Sequence, residues 1–133
     1  MAGLLTHLSI ATFGFLIGTF LFKNWKYGIA FFLGHLMPDL IDFGITGLFH
    51  WKFDPAVIMT YSWFRPLAIL GHTWWHWLIF GFVALVVIMM FYKSKKLSRT
   101  GLGLVLGMLV FFLAGVGVHL IIDLLIIEKS YWI

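Results

Sequence analysis

The sequence predicts an all-α, polytopic membrane protein: an antiparallel four-transmembrane-helix bundle forming a single domain. Three observations predict it. Of 133 residues, 62% are hydrophobic and 11% charged, against about 25% charged in soluble domains. The mean hydropathy is +1.04. Four apolar runs, each near the roughly 20 residues that cross a bilayer as a helix, nearly exhaust the chain and leave no room for a separate soluble domain. There is no cysteine, which excludes disulfides, thiolate metal sites and a cysteine nucleophile. The net charge is +4. Its basic residues lie in turns, where they set topology, and no basic surface interleaved with aromatics exists outside the membrane. Nucleic-acid binding is excluded on that ground.

The first predicted helix covers about 4–22. No basic residue precedes it, Lys23 and Lys26 follow it, and no small-x-small cleavage pattern closes it, so it reads as a retained helix and not a signal peptide. His7, Ala11, Gly14 and Gly18 fall on one stripe of it, which turns His7 toward the bundle. The second helix covers about 28–48 and contains Pro38. A proline there removes a backbone bond and clashes with the Gly34 carbonyl, so a kink or an opened turn is expected. The longest loop, from His50 to Pro66, is rich in aromatics and belongs at the membrane interface. Within it, Asp54-Pro55 reads as turn chemistry and His50 as an interfacial residue. The third helix covers about 67–92 and the fourth about 101–127. A short amphipathic end follows from Glu128. The GxxxG spacings at Gly14/Gly18 and Gly103/Gly107 indicate close helix packing.

Lysine and arginine set the orientation. Two lie in the first turn and four in the turn between helices three and four, against Lys52, Arg65 and Lys129 on the other side. Those two turns are therefore cytoplasmic, and the termini of this multi-pass protein face the non-cytoplasmic side.

The informative stretch is Gly34-His35-Leu36-Met37-Pro38-Asp39-Leu40-Ile41-Asp42. An acid at the centre of a membrane helix costs about 3 kcal/mol, and persists where it has partners or a function. The rest of the chain supplies partners. His35 and Asp39, His72 and His76, and His119 and Asp123 are each four apart, which puts each pair on one helix face. Asp42 continues the first stripe. Asp39 and Asp42 lie roughly 17–21 Å along their helix, His119 and Asp123 roughly 27–33 Å, and His72 and His76 roughly 8–14 Å. Antiparallel order then gathers these groups, with His7, in the outer half of the bilayer.

Imidazole and carboxylate are ligands for zinc, manganese or iron, and carboxylates also suit magnesium. Helix bundles build metal sites from such inward-facing side chains. The candidate ligands are His7, His35, Asp39, His72, His76, His119 and Asp123. Asp39, His76, His119 and Asp123 are the first choice. So many donors imply either two ions, or one ion with an outer shell of orienting groups. Zinc is the first expectation for the metal. Against each stands a plainer reading. A membrane histidine is usually a hydrogen-bonded core residue, and His72 and His76 have tryptophan neighbours typical of an interface. The acids could be paired to histidine or to a freed carbonyl.

These motifs are similar to the YdjM-like membrane-bound metal-dependent hydrolases. The resemblance rests on Met1 to His7, Gly34 to Asp42, His72 to His76, and His119-Leu120-Ile121-Ile122-Asp123. It covers most of the chain, and the Pro-Asp segment and the late His-x-x-x-Asp are its most specific parts. Two departures exist. The acids Asp39 and Asp42 are three apart, not two, and the family's Thr-His-Ser segment is replaced, so no serine nucleophile is present there.

The resemblance implies metal-assisted hydrolysis. With almost no extramembrane mass, the expected substrate is a membrane lipid or a lipid-linked ester or phosphoester. Asp42, or a histidine away from the metal, is the expected general base, and Arg65 is placed to hold an anionic headgroup. Two rivals remain. One is a non-catalytic subunit of a larger membrane complex, or a homo-oligomer, whose histidines carry haem or a chlorophyll-type pigment. The other is a proton or metal-ion path.

Overall fold

A computed structural model describes residues 3–126. Met1, which opens the family-like motif, position 127 of the fourth predicted helix and the amphipathic end at 128–133 lie outside the described residues. The elements in order are α1 (Leu4–Leu21), α2 (Trp25–Asp39), a π-helical turn (Leu40–Gly44), α3 (Ile45–His50), α4 (Pro55–Ile58), α5 (Phe64–His72), α6 (Trp74–Lys93) and α7 (Arg99–Leu125). No strand occurs among the described residues. Four stretches are long and apolar enough to cross a membrane: Leu4–Leu21, Trp25–His50, Trp74–Lys93 and Arg99–Leu125. The second joins α2, the π-helical turn and α3.

Local chemistry fixes several boundaries. Asn24 caps α2 by accepting from the Lys26 N–H at 3.1 Å, and Ser98 caps α7 by accepting from the Gly101 N–H at 3.0 Å. Each satisfies a donor that a helix start leaves open. Asp54 caps α4 with Pro55 in its first turn, as the turn reading of that pair expects. The helix runs through Pro38 to Asp39, and the irregularity expected at the proline appears just after it, as the π-helical turn that begins at Leu40.

The third predicted helix is the main difference. The sequence reading runs it unbroken over 67–92, whereas the chain breaks at Thr73, whose φ and ψ are −105° and 119°. Two contacts explain the break. The Trp77 indole N–H donates to the Gly71 carbonyl at 2.6 Å, taking the acceptor that a continuing helix would offer to Trp75. Gly71 also lies against the Pro38 backbone, where a Cβ would stand 2.7 Å from the carbonyl oxygen. So α5 docks on the end of α2, and α6 starts afresh.

Lipid tails are as apolar as leucine, so membrane helices are held by close packing and polar contacts. Here α2 and α7 form the central pair, with α1 against α2 and α6 against α7. The central contact depends on Gly34 and Gly115. A Cβ at Gly34 would run into the Phe112 backbone, and one at Gly115 into the Phe31 carbonyl and to 2.8 Å from the His35 nitrogen. On α1, His7, Ala11 and Gly18 are buried, and Gly18 faces the Gly28 backbone. Gly103, by contrast, has open space around it. A small apolar cluster of Trp77, Val116 and Leu120, with Met37, Ile41 and Phe112 against it, lies between α2, α6 and α7.

Candidate metal centre

The antiparallel order brings six of the predicted residues to one end of the bundle. His7 comes from the first turn of α1, His35 and Asp39 from α2, His72 from the end of α5, and His119 and Asp123 from the last turns of α7. His7, His35 and His119 are fully buried. Asp39 is 21% exposed and His72 16%, so the cluster opens on their side.

Four donor atoms face one another. His72 Nε2 lies 3.2 Å from His119 Nε2 and 3.1 Å from Asp123 Oδ2. His119 Nε2 lies 3.4 Å from Asp123 Oδ2. Asp39 Oδ1 lies 3.6 Å from each of the two histidine nitrogens. The donor atoms of Asp39, His72 and His119 thus form one triangle and those of His72, His119 and Asp123 another, sharing the edge between the two nitrogens. A point about 2.1 Å from three donors that are about 3.4 Å apart is at the length of zinc–nitrogen and zinc–oxygen bonds. Two carboxylates and two imidazole nitrogens drawn together in this way are donors of the kind a divalent cation takes.

A second grouping shares His119. Nitrogens of His7, His35 and His119 lie within 4.8 Å of one another, as do the donor atoms of Asp39, His72 and His119. This buried histidine cluster could hold a metal ion. Its rings are also linked to other groups. His7 Nδ1 is 3.2 Å from His35 Nε2, His7 Nε2 is 3.1 Å from Asp123 Oδ1, and His35 Nδ1 is 3.2 Å from the Gly115 carbonyl.

Asp42 sits apart from the four-donor set. The wider π-helical turn carries it behind the His72 ring, fully buried, with Oδ2 3.5 Å from His72 Nδ1. Its other oxygen accepts from the Phe43 N–H at 2.6 Å. His76 does not join either grouping. It lies beyond the Thr73 break, on α6, and its Nδ1 is buried with no hydrogen-bond partner. The four-residue spacing that joins His72 to His76 on one face requires an unbroken helix, which is absent here. Arg65 is exposed on α5. His50 stacks on Tyr61 with ring centroids 3.7 Å apart, away from the cluster.

Sequence reasoning missed the parts played by Gly115, whose carbonyl anchors His35, and Trp77, which ends α5 at the site. A glycine among five in an apolar helix carries no signal of that kind. The tryptophan indole, a donor that must be satisfied in a membrane, is the one clue the sequence offered. No family model, curated protein or solved structure matches the chain, so the likeness to the YdjM-like hydrolases stands on its motifs.

Proposed function

We propose that the protein is a membrane-embedded, metal-dependent hydrolase acting on a lipid or lipid-linked ester or phosphoester. The observation that carries this reading is the four-donor set of Asp39, His72, His119 and Asp123, with edges of 3.1–3.6 Å. A divalent ion bound there, zinc by the donor types and spacing, would supply an acidified water and polarise the target oxygen.

The chain's own residues divide the remaining work. His72, His119 and Asp123 form the tightest triangle. Asp39, the most exposed of the four donors, stands on the side where a substrate arrives, and zinc there would admit a water by expanding to five donors. Asp42, buried behind His72, is suited to orienting that ring and is too deep to meet an incoming water. Four spanning helices account for most of the chain, so a substrate reaches the open side from the bilayer or its surface. Arg65, two turns before His72 on α5, is placed for an anionic headgroup. The three carboxylates beside the histidines disfavour the pigment-subunit reading, since a tetrapyrrole site takes an axial ligand and has no need of them.

Elemental analysis of the purified protein, together with a panel of lipid esters and phosphoesters, tests the proposal. Stoichiometric divalent metal and a hydrolytic activity lost in Asp39→Ala and Asp123→Ala are expected. Absence of metal, with both variants unchanged in folding and activity, would overturn it. So would a Soret-type absorption band.

A further inference from the structure

The two donor groupings share His119 and invite the question of which one an ion takes. We infer that the protein binds a single ion, in the Asp39–His72–His119–Asp123 set, and that His7 and His35 are positioning residues for Asp123 and not ligands. The inference rests on the metal reading above.

Three observations carry it. First, the nitrogens of His7 and His35 are committed. A carbonyl oxygen only accepts, so His35 Nδ1–H donates to Gly115 and leaves Nε2 to accept from His7 Nδ1–H. His7 Nε2 in turn lies 3.1 Å from Asp123 Oδ1. The chain Gly115–His35–His7–Asp123 staples α7 to α2 and α1 and returns to α7. Second, the His7 ring stacks on the His119 ring, with centroids 4.0 Å apart and planes at 21°. Imidazole lone pairs lie in the ring plane, so stacked rings aim theirs side by side and not at one point. Third, the chain grips the outer oxygen of Asp123, Oδ1, and so turns Oδ2 toward His72 and His119. Histidine–carboxylate contacts of this kind orient metal ligands elsewhere.

The nitrogen left over is His119 Nδ1, buried without a hydrogen-bond partner. An ion there would require His7 and His35 to give up the bonds they make.

The test uses the full chain in detergent, with zinc and with cobalt as a spectroscopic stand-in. Wild type is expected to hold about one ion per chain and to give the visible bands of tetrahedral cobalt. His35→Asn keeps an amide donor at the Nδ1 position, and His7→Gln keeps one at the Nε2 position. Both variants are expected to retain about one ion and the wild-type cobalt bands, with affinity lowered about 10–100-fold. His35→Ala and His7→Ala are expected to lose more, since they supply no donor. A ratio of two ions in wild type, falling to one in the His7 and His35 variants, would overturn the inference and leave the hydrolase reading standing. So would cobalt bands that shift in His35→Asn or His7→Gln. Absence of any ion in wild type would overturn both. Circular dichroism of each variant separates loss of binding from loss of fold.

Discussion

Asp42 and His72 meet across the edge of the imidazole that the other acids of the cluster do not touch. Asp42 Oδ2 lies 3.5 Å from His72 Nδ1, whereas Asp39 Oδ1 and Asp123 Oδ2 lie 3.6 and 3.1 Å from Nε2. The ring is held between an orienting acid on one side and a donor set on the other. An acid behind a histidine fixes its tautomer and raises its basicity as a metal ligand. The π-helical turn makes this geometry, because it sets Asp42 at a different angle from the one a regular helix would give. Turns of this kind recur at functional sites.

Replacing that acid should therefore act on the metal. In Asp42→Asn one oxygen remains to accept from the Phe43 N–H, and the amide nitrogen faces His72 Nδ1–H, donor against donor. Metal affinity should fall about 10–100-fold with the helical content unchanged. Competition titration against a chelator of known affinity measures this. Unchanged affinity would remove Asp42 from any part in the site.

Metal removal should destabilise the protein by linkage. A ligand at about 100 times its Kd adds about 2.7 kcal/mol to the folded state. Thermal unfolding of wild type in detergent should shift upward with zinc and downward with a chelator. Asp123→Ala removes a donor to the ion and the anchor of His7, so its midpoint should be the same with and without zinc.

Much of this arrangement was legible in the sequence. Run lengths gave all four spans, the third with a start that the structure moves to Trp74, because apolar length is what a bilayer demands of a helix. Spacing and depth gave the convergence of His7, Asp39, His72, His119 and Asp123 at one end. The break at Thr73 was not legible. It follows from the Trp77–Gly71 hydrogen bond and the packing of Gly71 on Pro38, both tertiary contacts inside an uninterrupted apolar run. The preference for His76 depended on that run being one helix. Nor could spacing separate an ion's donors from the groups behind them, since that depends on which edge of each imidazole faces inward.

The same break is testable through Trp77. Trp77→Phe keeps a ring beside Val116 and Leu120 but deletes the donor to the Gly71 carbonyl. Leaving that carbonyl unsatisfied should cost about 1–3 kcal/mol and loosen the end of α5, weakening metal binding through His72. Thermal unfolding with and without zinc reads both effects. A loss of stability without a loss of affinity would mean that α5 is held by other contacts.

The glycine contacts predict opposite signs at two positions. Gly34→Ala must separate α2 from α7 against the Phe112 backbone, an overpacking that costs about 1–3 kcal/mol. Gly103→Ala meets nothing within 4 Å and should stabilise α7 by up to about 1 kcal/mol through helix propensity. Unfolding midpoints of the two variants should move in opposite directions. Equal shifts would mean that the α2–α7 contact does not depend on bare backbone at Gly34.

Arg65 distinguishes substrate binding from chemistry. It shares a face of α5 with His72 and stands roughly 10 Å from it along the helix, too far to touch a bond broken at the cluster. It is also exposed. On the proposed hydrolase reading, a guanidinium there would hold an anionic headgroup while the scissile bond lay at His72 and Asp39. Arg65→Ala should therefore raise KM for anionic lipid substrates by about tenfold, the equivalent of about 1.4 kcal/mol, with kcat unchanged. That is the pattern of lost uniform binding. Neutral lipid substrates should show no change in either constant. A fall in kcat at unchanged KM would mean that Arg65 reaches the reacting group, which requires α5 to close over the site.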